Sequence, residues 1–192
     1  MTAKLNVALI YGSTREGRFC DTIADWIAGE ILSQDGFALD LVDPAQLDLP
    51  HRHEARQSPE LSALKERLAA ADAFVVVTPE YNHGYPAALK FLIDSVYEEW
   101  RGKPVAFVSY GGVSGGLRAV EQLRPVFAEL HAMTIRDSVS FANPWEQFGP
   151  GGKLLQPERA AKTAALMLEQ LQWWAAALRE ARDADARRLA AV

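Results

Sequence analysis

The sequence predicts a doubly wound α/β domain: a five-stranded parallel sheet in the order 2-1-3-4-5 with helices on both faces. Three observations predict it. Apolar runs without polar alternation, as expected of strands covered on both faces, recur along the chain. Each leads through a polar loop to apolar residues at three- and four-residue spacing. No internal repeat or low-complexity stretch interrupts the alternation, and 192 residues are enough for one core that needs no disulfide or metal staple. Residues 1–182 are accordingly read as one domain and 183–192 as a charged tail.

Lys4 to Tyr11 is the first strand, left through the turn-rich loop Gly12-Ser-Thr-Arg-Glu-Gly-Arg18. Ile23, Ala24, Ile27 and Ile31 then line one face of a helix ending near Gly36. Phe37 to Val42 is the second strand, and a proline-containing polar loop follows from Asp43. Ser58-Pro-Glu opens the next helix with a cap residue and a first-turn proline, and Leu61, Leu64 and Leu68 give its stripe. Phe74 to Val77 is the third strand, stopped by Pro79 and expected at the centre of the sheet. Beyond the loop Thr78 to Pro86, the residues Ala88, Leu89, Leu92, Ile93 and Val96 predict a helix running to Trp100, with Gly102 and Pro104 as its stop. Pro104 to Tyr110 is the fourth strand and Gly111 to Gly116 its loop. Leu117, Val120, Leu123, Phe127 and Leu130 form the stripe of the fourth helix, with a kink expected at Pro125. A fifth strand falls within Met133 to Phe141, followed by a loop, Asn143 to Gly152, that holds three glycines and two aromatics. Gln156-Pro-Glu opens the last helix, which runs through Leu166, Leu171, Trp174 and Leu178; the charged, alanine-rich end from Arg179 is expected to fray.

Composition removes several function classes. Lys and Arg total 20 against 25 Asp and Glu, which gives no electrostatic reason to expect nucleic acid or an anionic membrane as partner. Cys20 is the only cysteine, so neither a disulfide nor a CxxC redox pair forms within the chain, and a reducing cytoplasm is the expected compartment. No apolar stretch approaches the roughly 20 residues of a membrane span. His51 and His53 sit two apart in a polar loop without an obvious third ligand, so no metal is expected. Trp173-Trp174 reads as core plus interface at helical spacing.

In an open α/β sheet, ligands bind at the carboxyl ends of the strands, where the loops after strands one, three and four converge. The first loop joins Gly12, Ser13, Thr14 and Gly17 to Arg15 and Arg18 just before a helix, which suits a phosphate; a plain turn with two solvated arginines fits the same residues. It matches neither GxGxxG nor a Walker A loop, so Asp43, where a ribose-binding acid would sit, is expected to be a cap. The second loop offers Tyr81 and Tyr85 to a flat ring on a proline-stiffened frame, and the third is nearly free of side chains. Phosphate at one end and a planar heterocycle between two loops is the outline of a flavin mononucleotide. N–H groups along the ring's pyrimidine side would stabilise the negative charge that develops there.

Four segments, Gly12-Ser-Thr-Arg-x-Gly-Arg18, Thr78-Pro-Glu-Tyr-Asn-His-Gly-Tyr-Pro-Ala-Ala-Leu-Lys90, Ser109-Tyr-Gly-Gly112 and Gly115-Gly-Leu-Arg118, resemble those of the NAD(P)H-dependent FMN reductase family of flavodoxin-like quinone, azo-dye and chromate reductases. The resemblance runs from the first strand to the last helix. It implies FMN held at a dimer edge, NADH or NADPH as electron donor, and a ping-pong reduction of a quinone, azo compound, free flavin or metal oxyanion. Carried over by position, Ser13, Arg15 and Arg18 would hold the phosphate, with Phe19 and Cys20 beside them. Pro79, Glu80, Tyr81 and Asn82 would line the ring, Ser109, Gly111 and Gly112 would close its other side, and His83 and Tyr85 would meet the substrate. No catalytic side chain and no metal ligand is implied. Many relatives carry Ser in place of Arg18 and Asn in place of Cys20. A homodimer or dimer of dimers is expected through the helix containing Leu92, Val96 and Trp100, whose apolar arc is unusually wide.

Two rival readings have sequence support. Gly112-Val-Ser-Gly-Gly116 matches the GxSxG of a nucleophile elbow after a strand and before a helix, but the only later histidine, His131, has no aspartate between it and Ser114. The other is a non-catalytic flavodoxin-like module that carries electrons or senses a ligand.

Overall fold

The structure, a computed structural model, describes residues 4–50, 52 and 58–190. His51 and His53 lie outside the described residues. Five strands, β1 (Leu5–Tyr11), β2 (Phe37–Val42), β3 (Ala73–Pro79), β4 (Pro104–Gly111) and β5 (Met133–Ala142), form one sheet in the order β2-β1-β3-β4-β5. Every neighbouring pair is parallel. The helices are α1 (Cys20–Leu32), α2 (Pro59–Ala70), α3 (Ala87–Asp94), α4 (Leu117–Glu129), the short α5 (Pro144–Gln147) and α6 (Pro157–Ala190). The order and the central place of β3 agree with the sequence, because uninterrupted apolar strands must be buried on both sides.

Alternation of side chains along each strand divides the core into two layers. Val7, Leu9, Val75, Val77 and Val108 pack against Ile23, Ile27 and Ile31 of α1 and Met167, Leu168 and Leu171 of α6. On the opposite face Ala8, Ile10, Phe74, Val76 and Phe107 meet residues of α2, α3 and α4. The Ser58 hydroxyl accepts the Leu61 N–H at 3.1 Å, as the start signal of α2 predicts. The fourth helix runs through Pro125 to Glu129.

Two expectations need correction. The helix after the β3 loop does not reach Trp100: α3 stops at Asp94, and the Ser95 hydroxyl donates back to the Phe91 carbonyl at 2.7 Å. The chain then turns into a 3₁₀ segment, Glu98–Trp100. This folds the Trp100 indole inward, where its N–H bonds the Ile93 carbonyl at 3.1 Å and its ring meets Phe74 and Phe127 edge-on. Leu92, Val96 and Trp100 are therefore buried in the chain's own core and supply no outer face for a twin subunit. The last helix is also fastened beyond Leu178, where its composition suggests fraying. Past Leu178, Arg182 donates to the Gly102 carbonyl at 2.6 Å, and both Arg179 and Arg182 reach Asp72 at 3.3 Å. These contacts fasten α6 to the amino edge of the sheet, and the helix continues to Ala190.

Lys103, at the start of the turn into β4, is buried, and its ammonium donates to the Leu68 and Ala69 carbonyls at the end of α2, at 2.7 and 2.9 Å. Burial, with Arg182 nearby, pulls its pKa down to about 8. Below that value folded and unfolded chains both hold the proton, and the fold carries the full desolvation cost. Between about pH 8 and the free-lysine value of about 10.4 only the unfolded chain holds it, so stability at this position rises with pH. Urea titrations should show the wild type gaining about 1–2 kcal/mol over Lys103→Met between mildly acidic pH and pH ~10.

Candidate functional site

The β1–α1 loop leaves the sheet through a contact that admits no side chain: the Gly12 N–H donates to the Val77 carbonyl at 2.7 Å, and a Cβ on Gly12 would stand 2.5 Å from that oxygen. The loop is thereby pressed onto β3. Ser13, fully buried, shares a hydrogen bond of 2.8 Å with the Tyr81 hydroxyl. The Arg15 guanidinium lies over the Tyr81 ring, its Cζ 3.6 Å from the ring centre, and has no carboxylate partner among the described residues. Arg18 differs in every respect. Its side chain is 9% exposed and makes a two-pronged pair with Asp43 at 2.7 and 2.5 Å, a third bond to Asp21 at 2.7 Å, and a short bond to the Ser13 carbonyl. Asp43 does cap its own turn, accepting the Ala45 N–H at 3.0 Å. Burial alone would raise the Asp43 carboxyl, but the Arg18 guanidinium and that N–H hold it below the usual carboxylate range.

Phe19 and Cys20 sit beneath this loop as packing. The Phe19 ring meets Phe148 edge-on at 5.7 Å, and the Cys20 thiol is buried against the Val77 carbonyl, with its pKa pushed up by burial. The Tyr110 hydroxyl is buried in the same layer, beside the Cys20 thiol.

The second loop turns sharply. Tyr81 and Gly84 exchange backbone bonds of 2.9 and 3.1 Å around Asn82 and His83, both at positive φ (52° and 69°), the backbone of a two-residue primed turn. Glu80 points across to the third loop. Its carboxylate, 6% exposed, accepts the Arg118 N–H at the start of α4 at 3.1 Å and the Arg118 guanidinium at 2.6 Å. His83 is exposed and its carbonyl is held by Gln122 at 2.8 Å, whereas Tyr85 packs against the core on the α2–α4 side. In the third loop the Gly115 carbonyl accepts both the Ser109 and Ser140 hydroxyls, at 2.8 and 2.9 Å. The Ser109 hydroxyl is thus spent on shaping the loop. A Cβ on Gly112 would meet nothing nearer than Asn143 Oδ1 at 4.0 Å, so the loop backbone is open there.

These geometries can be set beside known proteins. Residues 5–146 match the family profile described as NADPH-dependent FMN reductase. The chain belongs to this family. An NAD(P)H-dependent FMN reductase of Schizosaccharomyces pombe is 39% identical over 57% of the chain and 60% of its own length. The quinone reductase of Escherichia coli K12 is 34% identical over 70% of the chain and 76% of its length. The chain thus spans well under two thirds of the fission-yeast relative. Among solved structures, the flavoenzyme NAD(P)H:(acceptor) oxidoreductase FerB of Paracoccus denitrificans superposes with a TM-score of 0.74 over 89% of this chain and 97% of that one, at 23% identity. The profile stops before α6, but an NAD(P)H-dependent FMN reductase of Pseudomonas aeruginosa is 28% identical over 93% of the chain and 100% of its own length, so the resemblance in sequence continues into the last helix.

The residues present fit the family's flavin. The first loop supplies an uncompensated guanidinium, hydroxyls and backbone N–H groups for a phosphate, and the Gly112 face has the room a planar ring needs. Sequence reasoning brought together Ser13, Arg15, Pro79–Asn82 and Gly111–Gly112, but did not find that Asp43, Asp21 and Glu80 fasten the loops. One signal existed: the β1–β2 register pairs Ile10 with Val42, which sets Asp43 beside the base of the first loop. Ser114 bonds the Glu80 carboxylate, not a histidine; His131 lies at the opposite, amino edge of β4, where its carbonyl accepts the Gly102 N–H at 2.8 Å.

Glu80 offers a test of this bracing. Burial alone would raise its carboxyl, but Ser114 and Arg118 outweigh that and hold it below the usual glutamate range. Its contribution is therefore complete above the unfolded glutamate pKa of about 4.3 and lost as pH falls through the lower folded value. Glu80→Ala should lower the unfolding free energy by about 1 kcal/mol at neutral pH, the scale of a lost helix cap, with the difference from wild type shrinking below about pH 4.

Proposed function

We propose that this protein is an FMN-dependent NAD(P)H oxidoreductase acting on a quinone or another flat acceptor such as an azo compound, a free flavin or a metal oxyanion, with donor and acceptor alternating in one slot. The observation that carries this reading is the contrast between the two loop arginines. Arg15 keeps its charge uncompensated at the mouth of the site, over the Tyr81 ring, whereas Arg18 is neutralised. An exposed cation resting on an aromatic face is free to move onto an anion.

Bound FMN supplies the redox chemistry, taking the hydride of NAD(P)H and passing two electrons on. Arg15 and the N–H groups that follow Ser13 hold its phosphate. Pro79 to Asn82 form one wall for the ring, and the backbone of Ser109, Gly111 and Gly112 the other; Glu80 sets their separation through Arg118. His83, exposed at the rim, is the side chain placed to meet an incoming donor or acceptor. No side chain need exchange a proton with the substrate. A homodimer or dimer of dimers is proposed, with exposed Val113, Leu117 and Trp145 beside the slot supplying the surface in place of Leu92, Val96 and Trp100. The lone buried thiol suits the cytoplasm.

Anaerobic NADH or NADPH should bleach the visible absorbance of the FMN-loaded protein without a partner reductase, and benzoquinone should restore it. Initial rates at several acceptor concentrations should give the parallel double-reciprocal lines of a ping-pong cycle. Persistent colour would instead identify a passive electron carrier. Arg15→Met should weaken FMN about tenfold or more while leaving riboflavin, which lacks the phosphate, within about twofold.

A further inference from the structure

The sequence offers Arg18 and Arg15 as equivalent phosphate ligands. The structure separates them. Four of the five N–H groups of the Arg18 guanidinium are committed: Nε to Asp21 at 2.7 Å, Nη1 to Asp43 Oδ1 at 2.7 Å and to the Ser13 carbonyl, and Nη2 to Asp43 Oδ2 at 2.5 Å. The Tyr11 ring closes the guanidinium from below, 5.2 Å from its centre. Two carboxylates against one guanidinium leave this cluster with a net negative charge. An approaching phosphate would find no positive charge to use and one donor at most.

What Arg18 does hold is the Ser13 carbonyl. A trans peptide is planar, so fixing that oxygen also fixes the N–H of Thr14, which points the opposite way, away from Arg18. Asp43 is fixed in turn by the Ala45 N–H and by its place at the end of β2, directly after the Val42 that pairs with Ile10. The chain of contacts therefore runs from the frame of the sheet through Asp43 and Arg18 to one peptide unit of the loop.

We propose that Arg18 is a positioning residue: clamped by Asp43, it orients the Ser13–Thr14 peptide so that the Thr14 N–H meets the cofactor phosphate, and only Arg15 touches that phosphate with a guanidinium. This inference rests on the FMN reading above. It reverses the usual sense of a neutralising carboxylate, because removing the Asp43 charge weakens anion binding instead of strengthening it.

FMN and riboflavin dissociation constants, measured by quenching of flavin fluorescence for wild type, Asp43→Asn, Arg18→Met and the double variant, test it. Asp43→Asn is expected to weaken FMN about tenfold with riboflavin within about twofold, because only the phosphate contact is misaligned. Arg18→Met should do the same, and the double variant should be no worse than the poorer single one within about twofold, as for two residues acting in series. Tighter FMN binding by Asp43→Asn would make the freed Arg18 a direct ligand and overturn the clamp. Additive losses, or equal losses for both flavins, would overturn it as well. Far-UV circular dichroism and melting of each variant separate these outcomes from unfolding, and Asp43→Asn, which keeps the side-chain shape and one accepting oxygen while removing the charge and the second acceptor, decides the matter if Arg18→Met does not fold. If wild type binds neither flavin, the FMN reading falls and the clamp with it; if wild type binds FMN and Asp43→Asn binds it more tightly, the clamp alone falls.

Discussion

The site depends on how closely β1 and β3 approach where they end. Gly12 turns out of the sheet against the Val77 carbonyl with no space for a methyl group, and this sets the height at which the first loop crosses β3. Ser13 then falls within reach of the Tyr81 hydroxyl, and Arg15 comes to rest on the Tyr81 ring. A larger residue at position 12 would lift the loop, and the two halves of the slot would lose their shared edge. Close packing between backbones, not a set of side-chain contacts, fixes the relative position of the phosphate end and the ring end.

Three acidic residues then hold what that contact has placed. Asp43 ties the first loop to the end of β2, Glu80 ties the second loop to the start of α4, and Asp72 ties the far end of α6 to the amino edge of the sheet. Each gathers an arginine from an element distant in sequence; Glu80 also accepts the distant Arg118 N–H, and Asp72 the Asn6 N–H at 3.0 Å. Burying such charges has a desolvation cost that their mutual attraction offsets only with complete hydrogen bonding, so they add little net stability. Their effect is geometric. They restrict loops that carry few apolar side chains and would otherwise be held only by the backbone.

The fold was legible because its signals are local and redundant. Uninterrupted apolar strands, helical stripes and a polar loop after each strand all demand one topology, and small errors at an element's end do not change it. The failures came where a single long-range contact decides. Trp100 looked like the last turn of a helix by spacing, but an indole N–H seeking the Ile93 carbonyl and the rings of Phe74 and Phe127 drew it into the core. Arg179 and Arg182 looked like the start of a fraying tail by composition, but both reach Asp72. At the candidate site, the motifs pointed to three loops that follow the neighbouring strands β1, β3 and β4, yet residue type could not separate Arg15 from Arg18. Only the distance from Arg18 to Asp43, 25 residues on, separates them.

The same separation bears on where specificity resides. Side chains that fasten the loops, such as Asp43, Glu80 and Ser109, are buried and bonded to backbone, so changing them shifts the whole frame. The His83 side chain, at the rim, is exposed. A cofactor that carries its own electronics asks the protein for a fixed cradle and an accessible face. In the reading proposed above, fixed cradle and accessible face are built from different residues, so a change at the rim would leave the hold on the cofactor undisturbed.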